Sequence, residues 1–314
     1  MGGTKILAAA INSKDGIIAR VKRETPPGNN KEKYIQSLAE IVEAVVNELH
    51  LSESNVKAVC LGVPGSVNPF TGIIGLAPNL RLRNFNIGER LHGLIPYPVL
   101  IENDVNLGAL GIKKFGVGKN SKNMLVVFIG TGIGGGLILD EKIYRGSNFV
   151  AGEIGHMVVK KDGPLCGCGN RGCIEAVASR TAIVKNIEKD IKSGKKSVLS
   201  GFVKNKERIK SRALSQAINQ KDPLAVKRIN EASETIGVML AGVSNLLNVD
   251  MIVLGGGVIE AIGKFMMPRI KKSFNKNVME GSAKGLKIIA SKLGDDAALY
   301  GGIPLAEEFL GVKV

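Results

Sequence analysis

A cysteine-rich segment in the middle of the chain has the clearest chemical meaning. Residues 166–173 read Cys-Gly-Cys-Gly-Asn-Arg-Gly-Cys, and a histidine stands ten residues before the first cysteine. Three thiolates and one imidazole complete a tetrahedral zinc site and leave no position for a catalytic water. Buried cysteines that act as small apolar side chains are the alternative. The spacing favours a structural zinc ion, whose ligands would be His156, Cys166, Cys168 and Cys173.

Two carboxylates flank this predicted metal site. Glu153 precedes His156 by three residues, and Glu175 follows Cys173 by two. Carboxylates accept hydrogen bonds from neighbouring hydroxyl groups, and a metal would hold both acids and the histidine in one small volume. The sequence therefore predicts a binding site for a substrate that is rich in hydroxyl groups.

An aspartate follows a strand predicted over 98–102, at the carboxyl end where open α/β sheets bind ligands. This residue is Asp104, and Asn103 beside it can both donate and accept hydrogen bonds. Asp104 could accept the proton of a substrate alcohol as its oxygen attacks a phosphoryl group. It could equally cap a helix predicted over 105–115. The spacing alone leaves both interpretations open.

Two glycine-rich segments are candidates for phosphate contacts. The first, 130–136, matches the Gly-x-Gly-x-x-Gly pattern of dinucleotide-binding proteins. That pattern requires a helix directly after the glycines, whereas residues 137–144 are apolar and strand-like. A glycine turn between two strands remains, with N–H groups free to face phosphate oxygens. The second, 255–257, lies between a predicted strand and helix and suits either a nucleotide contact or a tight turn.

Strands and helices alternate along the chain, which indicates the α/β class. Helices are predicted over 31–50, 105–115 and 222–248. A further helix follows the glycines 255–257 and ends at about 274, and the last helix begins at 296. Strands are predicted over 3–11, 16–24, 56–63, 98–102, 124–129, 137–144, 250–254 and 286–291.

Length and composition narrow the class of protein further. A chain of 314 residues can form two domains. It contains neither a signal-peptide pattern nor a run of about 18 apolar residues, so we expect a cytoplasmic protein without a membrane partner. The net charge of +15 is concentrated between residues 185 and 228, without the stacking aromatic residues of a nucleic-acid-binding surface. We interpret this stretch as a solvated helical face, and nucleic acid is not an expected partner.

Four motifs in one order carry a family resemblance. They are the tripeptide 102–104, the glycine run 130–136, Gly-Glu-Ile-Gly-His at 152–156 and the cysteine loop with the glutamate that follows, 166–175. Together they resemble the ROK family of sugar kinases and repressors, and among its members the bacterial-type glucokinases. The resemblance covers nearly the whole chain, and the cysteine loop is its most specific part.

This resemblance implies a fold and an activity. The fold would be a two-domain actin/hexokinase-like ATPase with a duplicated ribonuclease H-like core around a central cleft. Residues 1–108 would form a small α/β domain, residues 109–297 a large one that carries the zinc loop, and a helix over 298–314 would return to the small domain. The activity would be phosphorylation of a hexose at its 6-hydroxyl by ATP with Mg²⁺, in a homo-oligomer that is a dimer or a tetramer.

The resemblance also gives individual residues an expected role. Asp104 resembles the general base, and the structural Zn²⁺ would be held by the four ligands given above. A zinc-bound His156 would offer its second ring nitrogen to the sugar. The residues that resemble substrate-binding positions are Gly65, Asn79, Asn103, Asp104, Glu153, His156 and Glu175. The residues that resemble ATP-binding positions are Gly3, Thr4, Lys5, Thr131, Gly132 and Gly256.

The amino terminus departs from the family pattern. That pattern opens with a strand ending in Asp-x-Gly-Gly-Thr, whereas here Gly2-Gly3-Thr4 directly follows Met1. A strand in the middle of a sheet is hard to omit without exposing unpaired edges. We therefore expect a start placed too far downstream, and a true loss of the strand and of activity is the alternative.

The identity of the hexose is less constrained than the reaction. Motifs for the 3-, 4- and 6-hydroxyl groups would be shared among hexoses, so kinases for N-acetylglucosamine, N-acetylmannosamine or another hexose remain alternatives. A sugar-responsive repressor would need a helix-turn-helix of roughly 60–80 residues ahead of the glycine hairpin. The expected activity is therefore that of a glucokinase, which makes glucose 6-phosphate for glycolysis.

Overall fold

In the computed structural model, which describes residues 2, 5–26 and 30–311, strands and helices alternate as predicted. The strands are β1 (Lys5–Asn12), β2 (Gly16–Glu24), β3 (Val59–Val63), β4 (Ser66–Asn68), β5 (Ile73–Ala77), β6 (Leu82–Asn86), β7 (Val99–Asn103), β8 (Met124–Ile129), β9 (Ile133–Leu139), β10 (Lys142–Ile143), β11 (Met251–Gly255) and β12 (Lys287–Ala290). The helices are α1 (Lys31–Glu48), α2 (Ile87–His92), α3 (Asp104–Phe115), α4 (Ile174–Ala178), α5 (Arg180–Lys192), α6 (Ser200–Lys204), α7 (Ser211–Asn219), α8 (Pro223–Leu247), α9 (Gly257–Asn277), α10 (Glu280–Ala283), α11 (Asp296–Tyr300) and α12 (Gly302–Leu310).

The strands form four hydrogen-bonded groups in the described part of the chain. A five-stranded sheet has the order β10-β9-β8-β11-β12, in which β11 is parallel to β8 and β12 while β9 is antiparallel to β8. Three smaller groups precede it in the chain: the antiparallel hairpin β1-β2, the parallel pair β3-β7 and the antiparallel sheet β4-β5-β6. The central strand β8 is apolar along its whole length because it lies in the interior of the largest sheet.

Glycines in β9 allow a close approach between that strand and helix α3. A Cβ at Gly134 would lie 2.8 Å from Val105, and one at Gly136 would lie 2.9 Å from Ala109. Both contacts are with α3, so the glycines serve helix packing. The prediction of a glycine turn through residue 136 is therefore wrong, and the turn covers 130–132.

Two further predictions need correction. The strand predicted over 137–144 is interrupted, because the chain turns at Asp140 and Glu141, which both have positive φ angles. The helix predicted from 296 is divided at Gly301, where a Cβ would overlap the backbone of Leu107. Sequence reasoning did not predict the sheet β4-β5-β6 or helix α2.

The carboxyl-terminal helix reaches back to the amino-terminal strands. Helix α12 contacts β3, β7 and α3, and α11 contacts β1 and α3. These contacts bring α12 close to β7 and to α3, the helix that begins with the candidate base. The division into domains at residue 108 stays a prediction. None of the described helices combines the length and the apolar composition that crossing a membrane requires.

Candidate active site

The end of β7 places Asp104 at the start of α3. Asn103 caps this helix, since its Oδ1 accepts hydrogen bonds from the backbone nitrogens of Val105 and Asn106, at 2.9 and 3.1 Å. The helix-cap interpretation of Asp104 is therefore wrong. Asp104 stands in the first helical turn, where its carboxylate is partly exposed and Oδ1 lies 3.0 Å from the nitrogen of Val105.

Asn103 also connects the end of β7 to the glycine after β3. Its Nδ2 donates to the carbonyl oxygen of Gly65 at 2.9 Å. Gly65 has a φ of 105°, and a Cβ there would overlap the backbone of Leu76, so only glycine fits. The same Cβ would lie 2.9 Å from the Cα of Ala77, which directly precedes the exposed turn that holds Asn79. Gly65 and Asn103 are thus in direct contact. Asn79 comes two residues after Ala77, which is a neighbour of Gly65.

Glu153 lies within electrostatic range of His156, Glu175 and Asp104. The distance between Oε2 of Glu153 and Nε2 of His156 is 3.9 Å. Burial raises the pKa of Glu153, the nearby His156 opposes this shift, and the charges of Glu175 and Asp104 raise the pKa further. Burial also raises the pKa of Asp104 itself. Three carboxylates and one imidazole from separate segments therefore share one polar region.

The four predicted zinc ligands come together in space. Their ligand atoms all lie within 4.8 Å of one another. The distance from Nδ1 of His156 to Sγ of Cys166 is 3.6 Å, and the distance between the sulfurs of Cys168 and Cys173 is also 3.6 Å. Tetrahedral zinc would require edges of about 3.6 Å between nitrogen and sulfur and about 3.8 Å between sulfurs. The donor set therefore fits Zn²⁺ in both chemistry and spacing.

The orientation of His156 connects the cysteine loop to the polar region. Its Nδ1 faces Cys166, whereas its Nε2 faces Glu153. The sequence-based expectation that one ring nitrogen binds the metal and the other the sugar stays a prediction. Gly172 shapes the cysteine loop, because it has positive φ and a Cβ there would overlap the carbonyl oxygen of Lys160.

The turn between β8 and β9 is connected to the polar region through Glu175. Within it, the nitrogen of Gly130 donates to the carbonyl oxygen of Gly132 at 2.9 Å. Glu175 holds the end of the turn, since its Oε2 accepts a hydrogen bond from Ile133 at 2.9 Å. Gly256 packs against the same strand end, where a Cβ would lie 2.7 Å from the carbonyl oxygen of Ile129. Of the predicted ATP-binding residues, Thr131, Gly132 and Gly256 thus gather at the end of β8.

The remaining predicted ATP-binding residues belong to the amino-terminal end of the sequence. Lys5 is exposed and begins β1. Gly3 and Thr4 lie outside the described residues. The expected phosphate contact at the amino-terminal hairpin therefore stays a prediction.

Sequence reasoning missed two residues that hold the glycine turn. The backbone nitrogen of Arg180 donates to the carbonyl oxygen of Gly130 at 3.0 Å, and the hydroxyl of Thr181 donates to that of Thr131 at 2.7 Å. Both residues start helix α5, which Ser179 caps. The sequence shows that both residues follow the cysteine loop within a few positions. No local pattern indicates which carbonyl groups accept their hydrogen bonds.

Comparison with known proteins identifies the family. The model of the ROK family matches residues 1–308, so the chain belongs to this family. It is 31% identical to a glucokinase of Halalkalibacterium halodurans, over 96% of this chain and 92% of that protein. It is 34% identical to an N-acetylmannosamine kinase of Vibrio cholerae, over 82% of each chain.

Solved structures confirm the fold prediction. A ROK glucokinase from Streptomyces griseus in complex with glucose and AMPPNP has a TM-score of 0.84 and 30% identity, with 98% of this chain and 97% of that chain covered. A ROK transcriptional regulator, a homologue of an Escherichia coli protein, has a TM-score of 0.88 and 26% identity, with 98% and 76% covered. The fold is therefore the actin/hexokinase-like ATPase fold.

Proposed function

We propose that this protein is an ATP-dependent hexose kinase that converts glucose to glucose 6-phosphate. The observation that carries the proposal is the likeness, over nearly the whole length of both chains, to a glucokinase in complex with glucose and AMPPNP. The relative from Halalkalibacterium halodurans, also a glucokinase, supports the same activity. The polar region around Asp104 and the turn at 130–132 are the corresponding candidates for the sugar side and the phosphate side.

Asp104 acts as the general base in this proposal. Its carboxylate accepts the proton of the 6-hydroxyl while the hydroxyl oxygen forms a bond to the γ-phosphorus of ATP. The bond from that phosphorus to the bridging oxygen breaks, and ADP leaves. The raised pKa of Asp104 makes its carboxylate a stronger base than a solvent-exposed aspartate. Mg²⁺ enters with the nucleotide and neutralises charge on its phosphate oxygens.

The sugar is held by groups whose other hydrogen bonds are already made. Glu175 uses Oε2 for Ile133, so its Oε1 is left to accept a hydrogen bond from a sugar hydroxyl. Asn103 uses Oδ1 for the helix cap and Nδ2 for Gly65, so its second amide hydrogen remains for a hydroxyl group. Because these groups are oriented before the substrate arrives, little ordering cost remains on binding. Glu153 and His156 complete the set, and a zinc ion held by His156 and the three cysteines would fix the orientation of the imidazole.

An ADP-release assay across a hexose panel tests the proposal. The panel contains glucose, mannose, N-acetylglucosamine and N-acetylmannosamine, each with ATP and Mg²⁺, and Asp104→Asn serves as the control without a base. The expected result is the highest kcat/KM with glucose and formation of glucose 6-phosphate. A higher kcat/KM with an N-acetylated sugar would assign a different hexose. Sugar binding without any ADP formation would favour a sensor role, as in the related transcriptional regulator.

A further inference from the structure

A buried carboxylate precedes the candidate base by two residues in the sequence. Glu102, on β7, is 1% exposed. Its Oε1 accepts hydrogen bonds from the backbone nitrogen of Asn103 and from Nδ2 of Asn106, at 2.9 and 3.0 Å. Its Oε2 lies 2.6 Å from Nε of Arg145. A buried charge is costly unless it is both paired and hydrogen-bonded, so the conformation at the end of β7 depends on Arg145.

Arg145 connects this strand end to two other segments. Its Nη1 and Nη2 donate to the two carboxylate oxygens of Glu308 on α12, at 2.7 and 2.8 Å. Its backbone carbonyl accepts a hydrogen bond from Ala151 at 3.0 Å, which closes the loop that leads to Glu153. The side chains of Arg145 and Glu102 are 10% and 2% exposed, so water weakens this ion pair little, whereas the side chain of Glu308 is 40% exposed. Arg145 therefore joins β7 and the carboxyl-terminal helix through its side chain, and it joins the loop before Glu153 through its backbone.

We propose that Arg145 is a positioning residue for phosphoryl transfer. Through Glu102 it fixes Asn103 and Asp104, and through its own backbone it fixes the loop that carries Glu153. The inference rests on the proposed function, in which Asp104 and Glu153 act on one sugar molecule. A planar guanidinium that donates to two carboxylates at once holds their separation, whereas a lysine ammonium would act as a single point charge.

The precision of this placement matters because phosphoryl transfer depends on alignment. The oxygen of the 6-hydroxyl must lie in line with the γ-phosphorus while Asp104 stays within reach of its proton. Misplacement of reacting groups by about 1 Å costs on the order of 10²-fold in rate. A residue that never contacts the substrate can therefore control kcat when it sets the distance between two groups that do.

The test separates positioning from stability. Arg145→Met alone would leave Glu102 buried and unpaired, which destabilises the fold for reasons unrelated to catalysis. In the double variant Arg145→Met/Glu102→Gln both charges are removed, and the glutamine oxygen can still accept from Asn103 and Asn106. We expect a Tm close to the parent, a kcat with glucose roughly 10- to 100-fold lower and a raised KM for glucose. If the double variant has the Tm of the parent and also its kcat and KM for glucose, the inference is overturned.

A second ion-pair group in the chain provides the matched control. Arg228 on α8 pairs with Asp190 on α5 at 2.6 Å and with Glu231 at 2.7 Å, and the side chain of Asp190 is 7% exposed. Each of the two groups contains one arginine, one buried carboxylate and one more exposed carboxylate, and in the control group Asp190 also pairs with Lys195 at 2.6 Å. The variant Arg228→Met/Asp190→Asn should leave kcat and KM unchanged. An equal kinetic loss in this control would mean that general destabilisation explains the effect, and the positioning role would be rejected.

Amide hydrogen exchange gives a readout that does not depend on turnover. Peptides that cover 103–106 and 146–153 should exchange faster in the Arg145→Met/Glu102→Gln variant than in the parent or in the control variant. If the parent phosphorylates no hexose, the proposed function fails, but this comparison still decides whether Arg145 fixes the two segments. Unchanged exchange in both peptides would overturn the inference.

Discussion

Glu175 accepts a hydrogen bond from the backbone of Ile133, with 2.9 Å between Oε2 and the nitrogen. Glu175 directly follows the cysteine loop, whereas Ile133 begins β9 after the turn 130–132. The bond therefore ties the predicted sugar side to the predicted phosphate side. Loss of the Glu175 carboxylate should therefore alter the KM for ATP as well as the KM for glucose.

Two substitutions of Glu175 should separate its two contacts. Glu175→Gln retains an oxygen that can accept from Ile133, so we expect the KM for ATP to stay close to the parent value. Glu175→Ala removes the acceptor and frees the turn. A hydrogen bond to a charged group contributes about 1.5–3 kcal/mol, so the KM for ATP should rise at least about tenfold. Steady-state kinetics at saturating glucose measure both values, and an unchanged KM for ATP in Glu175→Ala would contradict this role.

Substitution of Asp104 tests general-base catalysis. Asp104→Asn keeps the shape of the side chain and an oxygen near Val105, so sugar binding should change only a few-fold. Loss of the base should lower kcat on the order of 10²- to 10⁴-fold. Single-turnover rates and calorimetric titration with glucose measure the two effects separately. A kcat within tenfold of the parent would show that Asp104 does not act as the base.

The raised pKa of Asp104 also predicts a pH-dependent effect on stability. Because burial raises this pKa in the folded chain, folding favours the protonated form, and this contribution is lost as pH rises through the folded pKa. At pH 7 the half-buried, ionised carboxylate therefore lowers the free energy of unfolding. Asp104→Asn should have a higher Tm than the parent at that pH, and the gap should narrow as pH falls. An equal or lower Tm at pH 7 would contradict the expected desolvation.

Metal analysis tests the cysteine cluster. We expect about one zinc ion per chain, lost in Cys168→Ser with weaker glucose binding as a consequence, because His156 would lose its fixed orientation. Cys168 is exposed, so this change removes no core packing. Cys60→Ser is the matched control, since Cys60 is outside the cluster and its Sγ lies 3.2 Å from the carbonyl oxygen of Gly302. Zinc-free parent protein purified without chelator would refute the assignment.

The sequence predicted the parts of the site that depend on local spacing. The cysteine loop is one example, because its ligands are close in sequence and glycines allow the turns between them. Strand β8 is another: its predicted bounds, 124–129, agree with the structure because a continuous apolar run has few alternatives in an α/β protein. Both features could be predicted without knowledge of distant contacts.

The rest of the site depends on contacts between distant segments. Arg145 meets Glu102 and Glu308 across 43 and 163 residues of sequence. Glycine at 134 serves the packing of α3, and no pattern within 130–136 distinguishes this use from a phosphate turn. The cap at Asn103 was missed for a different reason: asparagine and aspartate both favour that position, and only the backbone conformation decides between neighbours.

The fit between Gly132 and Glu175 gives a last prediction. A Cβ at Gly132 would overlap Oε2 of Glu175, whereas a Cβ at Gly130 would meet no atom within 4 Å. Gly132→Ala should therefore lower Tm and raise the KM for ATP, and Gly130→Ala should leave Tm unchanged. If the clash with Glu175 is the cause, Glu175→Ala should be less harmful in the Gly132→Ala background than in the parent, because in that background it also removes the carboxylate that overlaps the new Cβ. Thermal unfolding of the four proteins in this cycle measures the coupling, and additive changes in stability would show that the two residues act independently.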